Sequence, residues 1–308
     1  MFTHPMPPRP SHAALRPAVW SALIRTVAFA LLWLPTPAAA QSFRAEITHQ
    51  ARGVFPGEAV LVRVVPSVPV SDIRGAVFGG IVRFYQADDT SWEGLVGVDL
   101  LVEPGSYDLA LQITPVAGTP VERDYPLVVE DKAYPTRQLT VAPRYVEPPP
   151  DVSARIARES QEQQAIFADA SDERLWRGPW GTPVPGRATS AFGSRSVFNG
   201  QPRSPHSGAD FRAAEGTPVV APNVGRVVLT GDTYFSGGSV ILDHGWGLYS
   251  YFAHLSKILV DKGDLVEPGQ TVGQAGATGR VTGPHLHWTL RLNGARVDPL
   301  SLIELLAQ

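Results

Sequence analysis

Cysteine is absent from all 308 residues of the chain, so neither a disulfide nor a thiolate metal site is open to it. Any tightly held zinc must sit on histidine and carboxylate. Basic excess is missing as well. The formal charge is -3, which provides no footprint for nucleic acid. Beyond the first forty residues, no segment offers the roughly 20 apolar residues that a membrane-spanning helix needs. Strand–helix–strand alternation is also lacking, and no internal repeat occurs. What is present is 44% apolar content in a chain long enough to fill two ordinary cores.

The first forty residues contain no acid. Their only Lys or Arg residues are Arg9, Arg16 and Arg25, followed by an apolar run from Thr26 to Leu34 and by Ala38-Ala39-Ala40 before Gln41. That layout predicts a secretory signal cleaved after Ala40, because the run is too short to span a bilayer. An uncleaved anchor is the alternative. Either way the remainder is expected outside the cytoplasm, in a periplasm first of all.

Residues 41–142 read as short strands. Tyr107, Leu109, Leu111 and Ile113 take alternate places, as one buried face of a strand does. Ala59–Val65 and Ile81–Tyr85 read alike. Turn signals at Pro56-Gly57, Asp88-Asp89 and Pro104-Gly105 give the spacing of a small antiparallel sandwich. Its lone histidine, His49, is assigned no role. Residues 143–182 begin with a connector, Pro143–Pro150, whose Pro148-Pro149-Pro150 predicts a stiff extended segment. Asp151–Asp169 has no Gly or Pro and predicts one polar helix with a thin stripe at Val152, Ile156 and Ile166. In residues 183–308 the pattern returns to β, with strands expected at Val219–Ala221, Arg226–Thr230, Ser239–Leu242, Leu248–Phe252 and His285–Leu292. Gly-rich turns join them.

Four histidines and one acid in this last region form three local patterns: His206-Ser-Gly-Ala-Asp210, Phe252-Ala-His254-Leu255 and His285-Leu-His287. On a strand, His285 and His287 share a face while Leu286 and Trp288 turn to the core. Helical spacing would also bring His206 and Asp210 together, but Gly208 between them and Gly216-Thr217-Pro218 after them favour a turn entering a strand. Two histidines and one carboxylate are a known catalytic zinc set that leaves a fourth position to water. Zinc makes that water acidic and polarises a carbonyl. Spare histidines then have two tasks, as general base and as stabiliser of the developing oxyanion or proton donor to the leaving amine. Spacing alone does not choose between His285 and His287 as the ligand. His244 in Leu242-Asp243-His244-Gly245 reads as a local hydrogen-bonding residue.

These blocks, extended to Tyr251-Phe-Ala-His254-Leu-Ser256 and Gly283-Pro-His285-Leu-His287-Trp288, resemble the LytM/lysostaphin-type zinc endopeptidases over about Pro183–Pro299. Turns similar to Val266-Glu-Pro-Gly-Gln270 and Gly276-Ala-Thr-Gly279 accompany them. The resemblance implies one zinc per catalytic domain held by His206, Asp210 and His287, with His254 and His285 as the catalytic pair. It also implies cleavage of peptide cross-links in peptidoglycan, whose peptide stems are the expected partner. One departure is Phe252, where similar proteins often carry tyrosine; Tyr251 is adjacent but points to the other face. Gly193–Pro205 is expected to form a groove wall, with Arg195, Asn199 and Arg203 facing substrate.

The expected fold class is all-β: an N-terminal immunoglobulin-like β-sandwich, a short helical linker and a C-terminal Gly-rich antiparallel β metallopeptidase domain. The immunoglobulin likeness is architectural, and through that domain a regulatory or cell-wall protein partner is conceivable. Two rival functions differ in kind. One is a non-catalytic binding module that activates a cell-wall amidase, recognised by missing ligands. The other is a protein merely stabilised by zinc, which normally takes a closed set of four protein ligands. The cleaved bond is expected to join D-alanine to diaminopimelate.

Overall fold

The computed structural model describes residues 43–140, 149–190 and 192–307. The expected signal, residues 1–40, and residues 143–148 of the Pro143–Pro150 connector lie outside them. From Phe43 onward the chain is one compact unit. Among the described residues, no helix is long and apolar enough to cross a membrane.

Alternation builds the N-terminal half. Seven strands, β1 (Ala45–Gln50), β2 (Ala59–Pro66), β3 (Val70–Val77), β4 (Gly80–Gln86), β5 (Trp92–Gly97), β6 (Gly105–Pro115) and β7 (Val121–Val129), lie in the order β1-β2-β5-β4-β3-β6-β7. In β6, Leu109, Leu111 and Ile113 are buried and Asp108, Ala110 and Gln112 are exposed, so every second side chain enters a core shared with Val62, Ile73 and Leu127. The edge strands approach each other: the His49 Nδ1 on β1 lies 2.8 Å from the Tyr125 hydroxyl on β7.

Beyond β7 the chain forms a short strand, β8 (Thr136–Leu139), and, after a 3₁₀ turn at Pro150–Val152, helix α1 (Ser153–Ala168). The helix lies on the C-terminal module, where Ile166 and Phe167 pack against Leu229, Ile241, Tyr249 and Tyr251. Glu159 on its polar side accepts from the backbone N–H of Tyr234 at 2.9 Å.

The C-terminal module contains β9 (Ala188–Ser190), β10 (Arg195–Phe198), β11 (Gln201–Pro202), β12 (Ala209–Phe211), β13 (Pro218–Val220), β14 (Gly225–Thr233), β15 (Gly237–Asp243), β16 (Leu248–Ile258), β17 (Leu265–Val266), β18 (Thr271–Ala275), β19 (Leu286–Leu292) and β20 (Ala295–Val297). The main sheet runs β17-β14-β15-β16-β19-β12-β9, with β13, β18 and β20 attached. Its pairs are antiparallel; the small β11-β10-β8 sheet differs, because β10 pairs in parallel with β8. Phe252 and Trp288 stack within the core, 6.5 Å apart at 12°, and both are fully buried.

The two β modules share packing. The core around Trp288 also takes in Ala59 and Leu95 from the N-terminal sheet. Polar contacts stitch the same seam: Arg296 donates to both oxygens of Asp99, and the buried carboxylate of Glu58 accepts from Arg52 and Lys132. A terminal helix, α2 (Pro299–Leu305), completes it. No strand or helix was expected there, although Asp298-Pro299 is a helix-start signal: the Asp298 side chain accepts from the Leu300 N–H, and proline occupies the first turn, where its missing donor is harmless.

His244 fastens the turn after β15. It is fully buried; its Nδ1–H donates to the Val224 carbonyl at 2.6 Å, and Nε2 accepts from Ser250 Oγ at 2.8 Å. Burial pulls its pKa from 6.5 down to about 4, against the opposing pull of the Val224 carbonyl. The unfolded chain therefore binds this proton first. Stability from His244 is complete above pH 6.5 and is lost as pH falls toward 4. A shift of that size corresponds to about 3 kcal/mol. Denaturant titrations at pH 7.5 and 4.5 should show a steeper acid loss for wild type than for His244→Gln; equal slopes would remove His244 from this role.

Candidate metal centre

Three side chains from two neighbouring strands converge. Asp210 is the middle residue of β12 and pairs directly with His287 of β19, while His206 reaches the same point from the turn before β12. Asp210 Oδ1 lies 3.1 Å from His206 Nε2 and 2.8 Å from His287 Nδ1, and the two imidazole nitrogens are 3.1 Å apart. For zinc bonds of about 2.0–2.2 Å in a tetrahedron, ligand atoms lie about 3.3–3.6 Å from one another, so the set is a few tenths of an ångström tighter than such an ion needs and would open slightly to hold it. Outer hydrogen bonds suit the same use. His287 Nε2 lies 2.9 Å from Thr289 Oγ1, which can accept the ring proton there when Nδ1 is given to an ion in place of its hydrogen bond to Asp210. Burial alone would raise the pKa of Asp210, but hydrogen bonds from His206 and His287 outweigh it and hold the carboxylate well below its ordinary range. Burial also lowers the pKa of His287, against its hydrogen bond to Asp210. Among the described residues this is the one His/Asp group with metal-ligand geometry.

Gly208 makes the convergence possible by close approach. A Cβ there would lie 2.5 Å from the Trp288 carbonyl oxygen and 2.8 Å from His287 Cε1. Gly208→Ala should therefore push β12 from β19 and weaken zinc binding by at least 10-fold, read by competition with a chromogenic chelator; unchanged affinity would contradict this account of the turn.

Two further histidines face the cluster. His254 and His285 have ring centroids 4.8 Å apart, and His254 lies 6.0 Å from His287. Each ring is pinned through Nδ1, His254 to the Thr278 carbonyl at 3.0 Å and His285 to the Gly283 carbonyl at 2.9 Å. Since carbonyls only accept, both Nδ1 atoms carry a proton, which in a neutral ring leaves Nε2 as the lone-pair site; His285 Nε2 is 4.0 Å from Asp210 Oδ1. Burial pulls the His254 pKa from 6.5 down to about 4; the Thr278 carbonyl opposes this, and His287 and His285 add to it. It is therefore neutral at pH 7. His285 precedes β19 and forms an isolated bridge to Gly276.

His254 owes its position to a break in β16. The register of β16 shifts against β15 between Gly238 and Val240, and against β18 between Leu255 and Lys257. His254 itself has φ +66, a left-handed conformation seldom adopted by side-chain-bearing residues. Phe252 and Leu255 consequently join the same core while Ala253 faces α1, and the imidazole is turned out between them. Tyr251 faces away: its hydroxyl lies 3.1 Å from Ser239 Oγ.

Comparison with known proteins bears on this geometry. Residues 204–299, which carry all five side chains, match the model of peptidase family M23. The crystal structure of a protein named peptidase M23 from Pseudomonas aeruginosa is 33% identical, with a TM-score of 0.63 over 81% of this chain and 95% of that one. The chain belongs to peptidase family M23. The structural likeness extends well beyond the 204–299 match, into the N-terminal module. Peptidoglycan DD-endopeptidase ShyA of Vibrio cholerae serotype O1 is 39% identical over 141 residues, 45% of this chain and 33% of that protein. DD-carboxypeptidase/endopeptidase Mpg of Neisseria meningitidis serogroup B is 40% identical over 97 residues, 32% of this chain and 22% of that protein. The chain thus covers a third or less of the length of these curated relatives.

The segment from Gly193 to Pro205, expected to wall a groove, is tied to the N-terminal module. The Gly193 N–H donates to the His206 carbonyl, the His206 N–H to the Ser194 carbonyl, and the Arg195 N–H to the Pro135 carbonyl. Tyr134 packs on Phe192, its hydroxyl bonded to the Pro56 carbonyl. A side chain donated by the N-terminal module therefore braces the segment that presents His206. Tyr134→Ala should loosen zinc binding several-fold while Tyr134→Phe, which keeps the ring, retains most of it; identical affinities for all three proteins would refute the brace. Of the wall residues, Arg195 and Asn199 are exposed and Arg203 is half-buried, its guanidinium 3.2 Å from Gln201 Oε1. Sequence reasoning had not singled out Thr289, Thr278 or Tyr134. Thr289 carried a readable signal, since it is two residues beyond His287 on one strand and so shares its face.

Proposed function

We propose that the chain is a zinc-dependent endopeptidase that hydrolyses peptide cross-links of bacterial peptidoglycan. One observation carries the reading: two imidazoles, His254 and His285, are held by backbone carbonyls beside the His206/Asp210/His287 set, the His254 ring 6.0 Å from that of His287 and His285 Nε2 4.0 Å from Asp210 Oδ1. The names of the relatives ShyA and Mpg supply the substrate class. Bound zinc would supply an acidified water and a Lewis acid for the scissile carbonyl. The remaining work falls to the protein. His206, Asp210 and His287 would hold the ion on three sides. One of His254 and His285 takes the water's proton at Nε2, and the other stabilises charge on the carbonyl oxygen or returns a proton to the departing amine. The low His254 pKa keeps its ring unprotonated at neutral pH. We place the mature protein outside the cytoplasm on the strength of its first forty residues, and read the N-terminal module as an immunoglobulin-like sandwich that orients the catalytic module on the wall, binds a partner, or covers the groove until displaced.

Purified peptidoglycan incubated with protein lacking residues 1–40, with and without chelator, tests this reading by product mass. Chelator-sensitive release of uncross-linked muropeptides is expected. Zinc binding without product from any cross-link type would instead favour a module that activates an amidase.

A further inference from the structure

Arg280 stands on the loop that fixes the proposed base and is not used by the chemistry above. Two loops meet beside His254. The β14–β15 hairpin supplies the Ser236 carbonyl that accepts the His254 N–H at 2.7 Å, and the β18–β19 loop supplies the Thr278 carbonyl that pins its ring. They touch backbone to backbone at Gly237 and Gly279, both with positive φ; a Cβ on Gly237 would lie 2.5 Å from the Gly279 nitrogen. Two residues beyond Thr278, the Arg280 N–H donates to the Phe235 carbonyl at 2.9 Å, and its guanidinium carbon stands 4.2 Å over the Phe235 ring. Stacking on an aromatic face leaves the guanidinium edge, with its donors, to the solvent side.

That charge has no anion beside it. Among the described residues, no carboxylate forms an ion pair with Arg280, whereas Arg155, Arg177 and Arg296 each have one. Its neighbours in charge are Arg203, on the segment leading into His206, and the Tyr234 hydroxyl. Burial and then Arg203 depress its pKa, with Tyr234 opposing them. An exposed cation fixed by stacking, repelled by a second cation and carried two residues from the carbonyl that pins His254 is suited to a bidentate carboxylate.

We propose that Arg280 is a specificity-determining residue that receives a substrate carboxylate adjoining the scissile bond. This rests on the peptidase reading for its substrate. In a cross-link from D-alanine to the side-chain amine of diaminopimelate, the carbon that bears the scissile nitrogen also bears a carboxyl. A glycine bridge has no such group within the bridge. The Arg280 subsite therefore selects the diaminopimelate cross-link over an uncharged one.

The test compares muropeptide dimers in which that carboxyl is free or amidated, with wild type, Arg280→Gln and Arg280→Lys. For the free dimer, Arg280→Gln raises KM by about 10- to 100-fold with kcat little changed, as expected for a lost charge-assisted pair. Arg280→Lys retains part of the affinity because the charge remains, and wild-type preference for the free over the amidated dimer disappears in the glutamine variant. Equal discrimination by wild type and Arg280→Gln overturns the subsite and leaves the peptidase reading intact. Binding is measured separately by calorimetry on His254→Ala protein with and without Arg280→Gln. If wild type cleaves neither dimer, the peptidase reading fails, and carboxylate-dependent binding lost with Arg280 still upholds the subsite. No difference in affinity, or no binding at all, overturns it.

Discussion

Replacing His254 with alanine should lower the rate of muropeptide release by roughly 10²- to 10⁴-fold, the usual contribution of a positioned general base, with one zinc still bound per chain. The metal set does not include this residue, so affinity and catalysis separate. A backbone effect must be distinguished, because His254 sits at φ +66 and alanine tolerates that conformation poorly. Asparagine tolerates it better, yet its side chain cannot take a proton at neutral pH. Both variants should be equally inactive, and the asparagine protein should melt close to wild type. Rates within a few-fold of wild type in either would show that His254 is not the base.

Loss of a proposed ligand should act on the metal first. With Asp210→Ala, two imidazoles remain and the buried negative charge that balances the ion is gone, so zinc affinity should fall by more than the roughly 10- to 100-fold that removal of an outer partner costs. Release from peptidoglycan should fall with it. Thr289→Val provides the internal scale: it removes the hydrogen bond to His287 Nε2 but no ligand, and should stay within that 10- to 100-fold range. Equilibrium dialysis at several zinc concentrations measures both. If Asp210→Ala binds zinc as wild type does, the metal lies elsewhere.

The parts of this fold that follow from side-chain period were legible in the sequence. Leu109, Leu111 and Ile113 mark one face of β6 because a strand has a period of two, and Leu286 and Trp288 turn to the core on either side of His287 for the same reason. The polar, Gly- and Pro-free stretch gave α1 to within about two residues at its start. Its resting place did not follow, since Ile166 and Phe167 find their partners on β14, β15 and β16, far away in sequence.

The site was legible as residue types and illegible as geometry. His206 and Asp210 at a glycine-broken spacing suggested a turn into a strand, and Asp210 does lie within β12. The reason for Gly208 is different from conformational freedom: the Trp288 carbonyl leaves no room for a Cβ, a long-range fact that no local pattern encodes. Nor does Phe252-Ala-His254-Leu255 announce the bulge that turns His254 out of its strand, since bulges depend on the register of β15 and β18 on either side. The parallel pairing of β8 with β10 is likewise a meeting of segments far apart in the chain. The shared core and the Arg296–Asp99 pair show why a proline-rich connector in sequence does not imply separate bodies in space.

A zinc titration of metal-free protein against purified peptidoglycan tests the central claim most directly, with bound metal and released muropeptides read on the same samples. The account predicts no release without zinc and a linear rise that ends at one equivalent per chain. Release that persists through exhaustive chelation, or one equivalent of zinc bound with no muropeptide freed, would contradict it.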